Sequence, residues 1–290
     1  MRVLCHGCVA ASTRCILGLI PRLSRAALTF RKDRIFPLIL DQFNLKGKTA
    51  LVTGSSRGLG AAIAVALAQA GANVAVHGST QAPEATRQQV IAAGKDSIAL
   101  AGDVGDKDVC TRLVDETVRH FGTIDILVNN AGTIRRSPAV DHPEEDWKLL
   151  IDVNLTSVFR LTQNAGRHML ARGSGKVINI ASLLTFQGGI LVPSYAAAKG
   201  GVGQLTKAFA NEWAAKGVNV NAIAPGYMDT DNTEALRNDP QRAPKILDRI
   251  PAGRWGKPED LAGAAVFLAS GASDYIHGHI LVVDGGWMNR

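Results

Sequence analysis

The sequence predicts an α/β fold, a single doubly wound parallel sheet of about seven strands with helices on both faces. Three observations predict it. Beyond residue 46, short apolar runs alternate with longer helical segments, the order that builds a parallel sheet covered on both sides. A glycine-rich run, Thr53-Gly54-Ser55-Ser56-Arg57-Gly58-Leu59-Gly60, joins the first apolar run to an alanine-rich segment. Residues able to do chemistry fall just after the predicted strand ends, where open sheets of this kind bind ligands.

The elements follow in order. The first strand lies near 48–53, on Thr49-Ala50-Leu51-Val52, and a helix near 58–70 occupies the alanine-rich stretch. Strands near 72–77 and 97–101 flank a helix near 83–94, and a helix near 106–121 leads to a strand near 125–128. One long helix near 144–171 precedes the strand near 175–181, which carries Val177-Ile178-Asn179-Ile180. A helix near 194–216 leads to a strand near 218–223, and a helix near 259–269 to the last strand near 279–283. The strand runs are short and apolar, as strands buried on both faces must be. Seven of them suit a Rossmann-type sheet, and Gly54, Asp103, Asn130, Ser182 and Pro225 then converge on one crevice.

Composition bounds the alternatives. The 290 residues carry a net charge of +7, which at first reads as a nucleic-acid signal. Seven basic residues and one acid lie in residues 1–40, leaving +1 for the remaining 250, so no basic patch on a folded domain is expected. Those 250 residues suffice for one α/β core and fall short of two. The expected organisation is an extension over 1–40, disordered or the product of a misassigned start and dispensable for activity, followed by a cofactor-binding domain over 41–290. Cys5, Cys8 and Cys15 lie in the extension and Cys110 stands alone, so no disulfide framework is expected and a cytoplasmic setting is. Cys5-x-x-Cys8 lacks a second Cys/His pair at zinc-site spacing, no metal is expected, and no apolar run is long enough to span a membrane.

The glycine run has a physical reading of its own. Glycine permits positive φ and lets the backbone approach a pyrophosphate, while the helix that follows offers free N–H groups and the positive end of its dipole. Tyr195-x-x-x-Lys199 places a phenol and an ammonium on one helix face, with Ser182 thirteen positions earlier. A phenol near pKa 10 is a poor acid or base at neutral pH, and a neighbouring cation lowers that value. Taken singly, such a pair could be an exposed helix stripe and Ser182 could cap a turn.

Read jointly with Asn129-Asn130-Ala131-Gly132, Asn154 and Pro225-Gly226, these motifs resemble the short-chain dehydrogenase/reductase family from about Lys46 to Arg290. The resemblance implies that Tyr195 exchanges the hydroxyl proton, Ser182 polarises the substrate oxygen, Lys199 binds the nicotinamide ribose and lowers the tyrosine pKa, and Asn154 holds a water leading from Lys199 to solvent. It also implies cofactor contacts from Gly54, Ser56, Arg57, Gly58, Leu59 and Gly60 in the loop. Asp103 and Val104 would meet the adenine, Asn130, Ala131 and Gly132 the adenosine ribose side, and Pro225, Gly226 and Met228 the far side. His77-Gly78-Ser79-Thr80 supplies no acid to repel a 2′-phosphate and Arg57 could pair with one; NAD is the expected cofactor, with NADP as the alternative.

The segments Thr133-Ile134-Arg135-Arg136 and Phe186-Gln187-Gly188-Gly189 resemble the members of the family that act on deoxy sugar acids in uronate or pectin breakdown. A carboxylate needs a cation, and Arg135 and Arg136 are the candidates, with Arg136 preferred; Gln187 could meet a sugar hydroxyl. Members acting on gluconate or on acyl groups of a carrier protein share most of these motifs, and a cofactor-sensing regulatory protein would share the fold. Apolar residues on more than one face of the helices near 144–171 and 194–216 imply subunit contacts, and the resemblance implies a homotetramer.

Overall fold

The structure, a computed structural model, describes residues 38–290, and Leu38–Arg290 form one compact unit. What the sequence leads one to expect of residues 1–37, including Cys5-x-x-Cys8, lies outside the described residues. In chain order the elements are β1 (Thr49–Val52), α1 (Gly58–Gln69), β2 (Asn73–Gly78), α2 (Glu84–Ala92), β3 (Ser97–Ala101), α3 (Lys107–Phe121) and β4 (Ile126–Asn129). The second half continues with α4 (Glu144–Ile151), α5 (Ser157–Arg172), β5 (Gly175–Ile180), α6 (Pro193–Trp213), β6 (Val218–Pro225), α7 (Asp231–Arg237), α8 (Arg242–Arg249), α9 (Ala262–Ala269) and β7 (Ile280–Val283).

The seven strands form one sheet in the order β3-β2-β1-β4-β5-β6-β7, every neighbouring pair parallel. The alternation of apolar and helical segments dictates this: parallel neighbours need crossovers, and the crossovers are the helices. Residues of α1, α2 and α9 (Ile63, Leu67, Val90, Leu268) pack on one face. Residues of α3, α5 and α6 (Leu113, Leu161, Met169, Trp213) pack on the other. The chain leaves β1 toward β2 on one side and returns to β4 on the other, so a crevice opens above the carboxyl ends of β1 and β4.

Two parts of the expected order differ. The single helix expected near 144–171 is α4 and α5 joined through a π-turn, Asp152–Thr156, with Asn154 fully buried in it. The flanking residues Ile151 and Ser157 keep right-handed helical angles, so the axis runs on while one turn widens. Between β6 and α9, where the sequence reading places no element, the chain holds α7 and α8, whose Leu236 and Ile246 join Leu183, Ile250 and Trp287 in a small apolar cluster of their own.

At the amino ends of β1 and β4, Asp125 accepts the Thr49 N–H at 2.9 Å and pairs with Arg172 at 3.2 Å and Lys48 at 3.9 Å. Between the middle strands a buried chain of amides and hydroxyls runs from Thr162 through Asn129 and Asn179 to Thr206, with links of 3.0, 2.8 and 2.9 Å. It ties α5, β4, β5 and α6 into one block beneath the crevice. Among the described residues no helix is long and apolar enough to cross a membrane.

Candidate active site

A cavity of about 560 Å³ occupies the crevice. Its floor is the turn after β1. Gly54 has φ +62°, and a Cβ there would stand 2.7 Å from the Ala131 Cα; one on Gly60 would stand 2.3 Å from the Gly54 carbonyl oxygen. Only glycine lets α1 begin this close to the strand, and the first turn of α1 then opens directly onto the cavity. Ser56, Arg57, Gly58 and Leu59 line the same end.

The turn is held from three sides. Asn130 donates its amide to the carbonyls of Thr53 at 2.9 Å and Gly54 at 2.8 Å, while the Thr53 hydroxyl accepts the N–H groups of Asn130 and Ala131, each at 3.1 Å. Asn130 therefore clamps the loop with its side chain. His77, buried at the end of β2, accepts the Gly54 N–H at its Nδ1 (3.1 Å). Its Nε2 must then carry the proton and donate to the Gly102 carbonyl at 2.8 Å. Burial, followed by the influence of Arg112, holds the imidazole below its ordinary pKa against the opposing pull of the Gly102 bond and Asp103.

Asp103 and Val104 line the cavity beyond β3, Ala131 and Gly132 beyond β4, and Pro225, Gly226 and Met228 beyond β6. Cys110 lies behind Val104, bonded to its carbonyl at 3.1 Å, and burial pushes its thiol up to about 11. Arg57 is not free: its Nε pairs with Asp231 of α7 at 2.7 Å, across the mouth of the cavity.

At the other end stand Ser182, Tyr195 and Lys199. Ser182 follows β5, accepts the Leu184 N–H at 3.1 Å, and lines the cavity beside Tyr195, so it caps a turn and serves the site together. Lys199, on the same face of α6 one turn on, sits with its Nζ 5.7 Å from the Tyr195 ring centre and donates to the Ile180 carbonyl at 2.6 Å. Burial brings the ammonium down to about 8. The expected lowering of the phenol by Lys199 is not what the structure has. Burial raises Tyr195 above its ordinary value, opposed by Ser182 and Arg136, because Lys199 is tied to Ile180 instead of approaching the hydroxyl.

Asn154 does not line the cavity; it stands behind it. Its Oδ1 accepts the Thr133 N–H at 2.9 Å and its Nδ2 donates to the Thr133 carbonyl at 2.8 Å, so the π-turn fixes the loop that carries Arg135 and Arg136. Arg135 pairs loosely with Asp146 at 3.8 Å and lines the cavity. Arg136 donates to the Asn232 carbonyl at 3.1 Å and lies within electrostatic reach of Tyr195 and Tyr227. Gln187 does not line the cavity; it accepts the Trp287 indole N–H at 3.3 Å. The sequence reading gave no role in the site to His77, Asp231 or Tyr227, although His77 opens the His77-Gly78-Ser79-Thr80 run and Tyr227 follows Pro225-Gly226.

The cavity fits a dinucleotide. Glycines without room for a Cβ form one end, the opened first turn of α1 faces it, and the proton-transferring groups lie at the other.

Comparison with known proteins agrees. The family model described as enoyl-(acyl carrier protein) reductase matches residues 54–288. The 2-dehydro-3-deoxy-D-gluconate 5-dehydrogenase of Bacillus subtilis is 56% identical over 252 residues, covering 86% of this chain and 98% of that one. The enzyme of the same name from Pseudoalteromonas atlantica is 55% identical over 254 residues, covering 87% and 100%. The crystal structure of a gluconate 5-dehydrogenase from Burkholderia cenocepacia in complex with NADP and tartrate superimposes with a TM-score of 0.81 at 40% identity, covering 87% of this chain and 99% of that one. The fold, the glycine turn and the Ser182–Tyr195–Lys199 group together make this chain a member of the short-chain dehydrogenase/reductase family of nicotinamide-dependent oxidoreductases.

Proposed function

We propose that the protein interconverts a secondary alcohol and a ketone on a deoxy sugar acid of the 2-dehydro-3-deoxy-D-gluconate type. The observation that carries the chemistry is that Ser182, Tyr195 and Lys199 line one end of the crevice together, with Lys199 one helical turn on from the phenol. The substrate class rests on Arg136 beside Tyr195 and on the names of the relatives.

When bound, the nicotinamide supplies the acceptor or donor of hydride. Tyr195 holds the proton that the substrate oxygen gains or loses. As described, burial keeps that proton on the phenol, the form that donates to a ketone; alcohol oxidation requires it to leave. Ser182, fixed by the Leu184 N–H, holds the substrate oxygen against the Tyr195 hydroxyl and stabilises charge that develops there. Lys199 orients the cofactor ribose and passes protons toward Asn154. Arg136 takes the substrate carboxylate in a charge-assisted bond.

Gly54, Ser56, Arg57, Gly58, Leu59 and Gly60 hold the phosphates, Asp103 and Val104 the adenine, and Asn130, Ala131 and Gly132 the loop beside the ribose. With no acid after β2, and Ser79 and Thr80 facing the cavity, both NAD and NADP are accepted. The protein works in the cytoplasm, in uronate or pectin breakdown, as a homotetramer assembled through α5 and α6, where Leu155, Phe159 and Leu205 line an exposed apolar groove.

The test is absorbance of reduced nicotinamide with purified protein, 2-dehydro-3-deoxy-D-gluconate or D-gluconate, and NAD or NADP. Turnover on the deoxy acid with Tyr195→Phe inactive yet still binding the cofactor is the expected result. Turnover confined to gluconate removes the substrate assignment and leaves the chemistry.

A further inference from the structure

Cofactor choice in sheets of this kind is set just past the second strand, where an acid accepts the adenosine ribose hydroxyls and repels a 2′-phosphate, or an arginine nearby takes that phosphate. Here β2 ends in Gly78, and the residues that follow, Ser79 and Thr80, line the cavity and carry no charge. The turn that carries Arg57 is fastened to the same point. The Ser55 N–H donates to the His77 carbonyl at 2.8 Å, and the Ser55 hydroxyl accepts the His77 N–H at 2.8 Å. Of the cations that line the cavity among the described residues, Arg57, Arg135 and Lys199, Arg57 is therefore the one brought beside the end of β2.

An acid is present, but it comes from another element. Asp231 opens α7, lines the cavity, and pairs with the Arg57 Nε at 2.7 Å. The backbone beneath it is held on both sides. The Asp229 N–H donates to the Gly256 carbonyl at 2.6 Å, the Asp229 carboxylate pairs with Arg237 at 2.9 Å, and the Asn232 carbonyl accepts a bond from Arg136 at 3.1 Å. A Cβ on Gly58 would lie 3.6 Å from the Thr230 methyl, so the glycine turn and the start of α7 face one another across the mouth at van der Waals distance. Asp103, the other acid lining the cavity among the described residues, turns its Oδ1 to the Gly105 N–H at 2.9 Å.

Arg57 and Asp231 are both exposed, and an exposed ion pair is weak enough for a phosphate dianion to open. A 2′-hydroxyl has no charge with which to do so.

We infer that Asp231 sets the cofactor preference of this protein, as a positioning residue that holds Arg57 away from a 2′-phosphate: the pair stays closed over NAD and must open for NADP. The discrimination that an acid after β2 would exert is thereby moved to α7. This rests on the reading that the crevice takes either cofactor with Arg57 at its phosphate end.

The experiment titrates NADH and NADPH separately into the full protein and reads each Kd from reduced-nicotinamide fluorescence, without turnover. The variants are Asp231→Asn, Asp231→Glu, Arg57→Gln, the double variant of Arg57→Gln with Asp231→Asn, and Glu234→Gln, which removes the same charge from an exposed position of α7 outside the cavity. Asp231→Asn is expected to tighten NADPH about 3–10-fold, the scale of one exposed ion pair released and one like charge removed, and to change NADH less than about 2-fold. Asp231→Glu and Glu234→Gln should keep the wild-type ratio of the two. With Arg57→Gln in the same chain, Asp231→Asn should lose most of its effect, the coupling expected of a residue that acts through another. Retained NADH binding shows that each variant is folded, and Asp231→Ser repeats the test if Asp231→Asn is not. An unchanged ratio in Asp231→Asn, or a gain of equal size with and without Arg57, overturns this inference alone. An Arg57→Gln variant that binds NADPH as tightly as the wild type overturns the placing of Arg57 at the phosphate end and this inference with it.

Discussion

Tyr195 and Lys199 are each perturbed by burial and not by one another. Each carries a shift against its charged form, the phenol upward and the ammonium down to about 8. Oxidation needs a proton acceptor in the site, and Lys199, brought down to about 8, is the group there that gives up its proton near neutral pH. The expected outcome is an oxidation kcat/KM that climbs with pH through about 8 while reduction falls over the same range; pH profiles in both directions check it. His77 gives a second residue-scale prediction with the opposite readout. Its folded pKa lies below the unfolded value of about 6.5. Below that value the unfolded chain binds a proton that the folded chain resists, so this contribution to stability is complete above about pH 6.5 and is lost as pH falls toward the folded pKa. Melting temperature should fall on acidification from pH 7 to 5. His77→Asn, whose side-chain oxygen can accept from Gly54 without titrating, should flatten that part of the profile. Arg57 makes a third case, because a 2′-phosphate must compete with Asp231 for it. Arg57→Ala should raise KM for NADP about 10-fold, the low end for an exposed charged bond, and by more than it raises KM for NAD in initial-rate assays. At this scale the glycines, Ser182, Tyr195 and Lys199 were legible because their spacing encodes their purpose. The roles of His77 and Asp231 were not, because each acquires its partner only when distant segments fold together.

Among the elements, the strands were read most accurately. Strands such as β1 and β4 are buried along their whole length, so a short apolar run was a sufficient signal. The helices α7 and α8 were missed for the converse reason: each is short and mostly polar, with one or two apolar residues facing a local cluster, too few to show a period. The π-turn was missed because a widened turn leaves hydrophobic spacing almost intact over two helices. Helix packing also carries a prediction. A Cβ on Gly166 of α5 would lie 2.5 Å from the Trp213 ring of α6, so these helices pack as closely as glycine allows. Gly166→Ala gains helix propensity of up to about 1 kcal/mol yet must displace the indole, an overpacking cost of about 1–3 kcal/mol. A net loss of stability in denaturant titration is expected, with Trp213→Phe in the same chain restoring part of it.

For the whole molecule, the apolar groove between α5 and α6 leaves Phe159 40% exposed, stacked on Phe209 at 6.1 Å. If this face joins subunits, Phe159→Glu should shift the sedimentation profile to smaller species without loss of the fold by circular dichroism. The sheet meanwhile separates two kinds of residue. The carboxyl ends of its strands carry the glycine turn, Ser182 and the arginines, and the amino ends of β1 and β4 carry the Asp125 knot with Lys48, Thr49 and Arg172. Phe43, close to the first described residue, packs on Phe267 of α9, and Gln42 lies against Gly271 just after α9, so the described chain enters beside that quiet end. That end is a handle for the engineer. A linker, bead or electrode joined there holds the enzyme by its least reactive side and turns the mouth of the crevice outward, toward arriving cofactor.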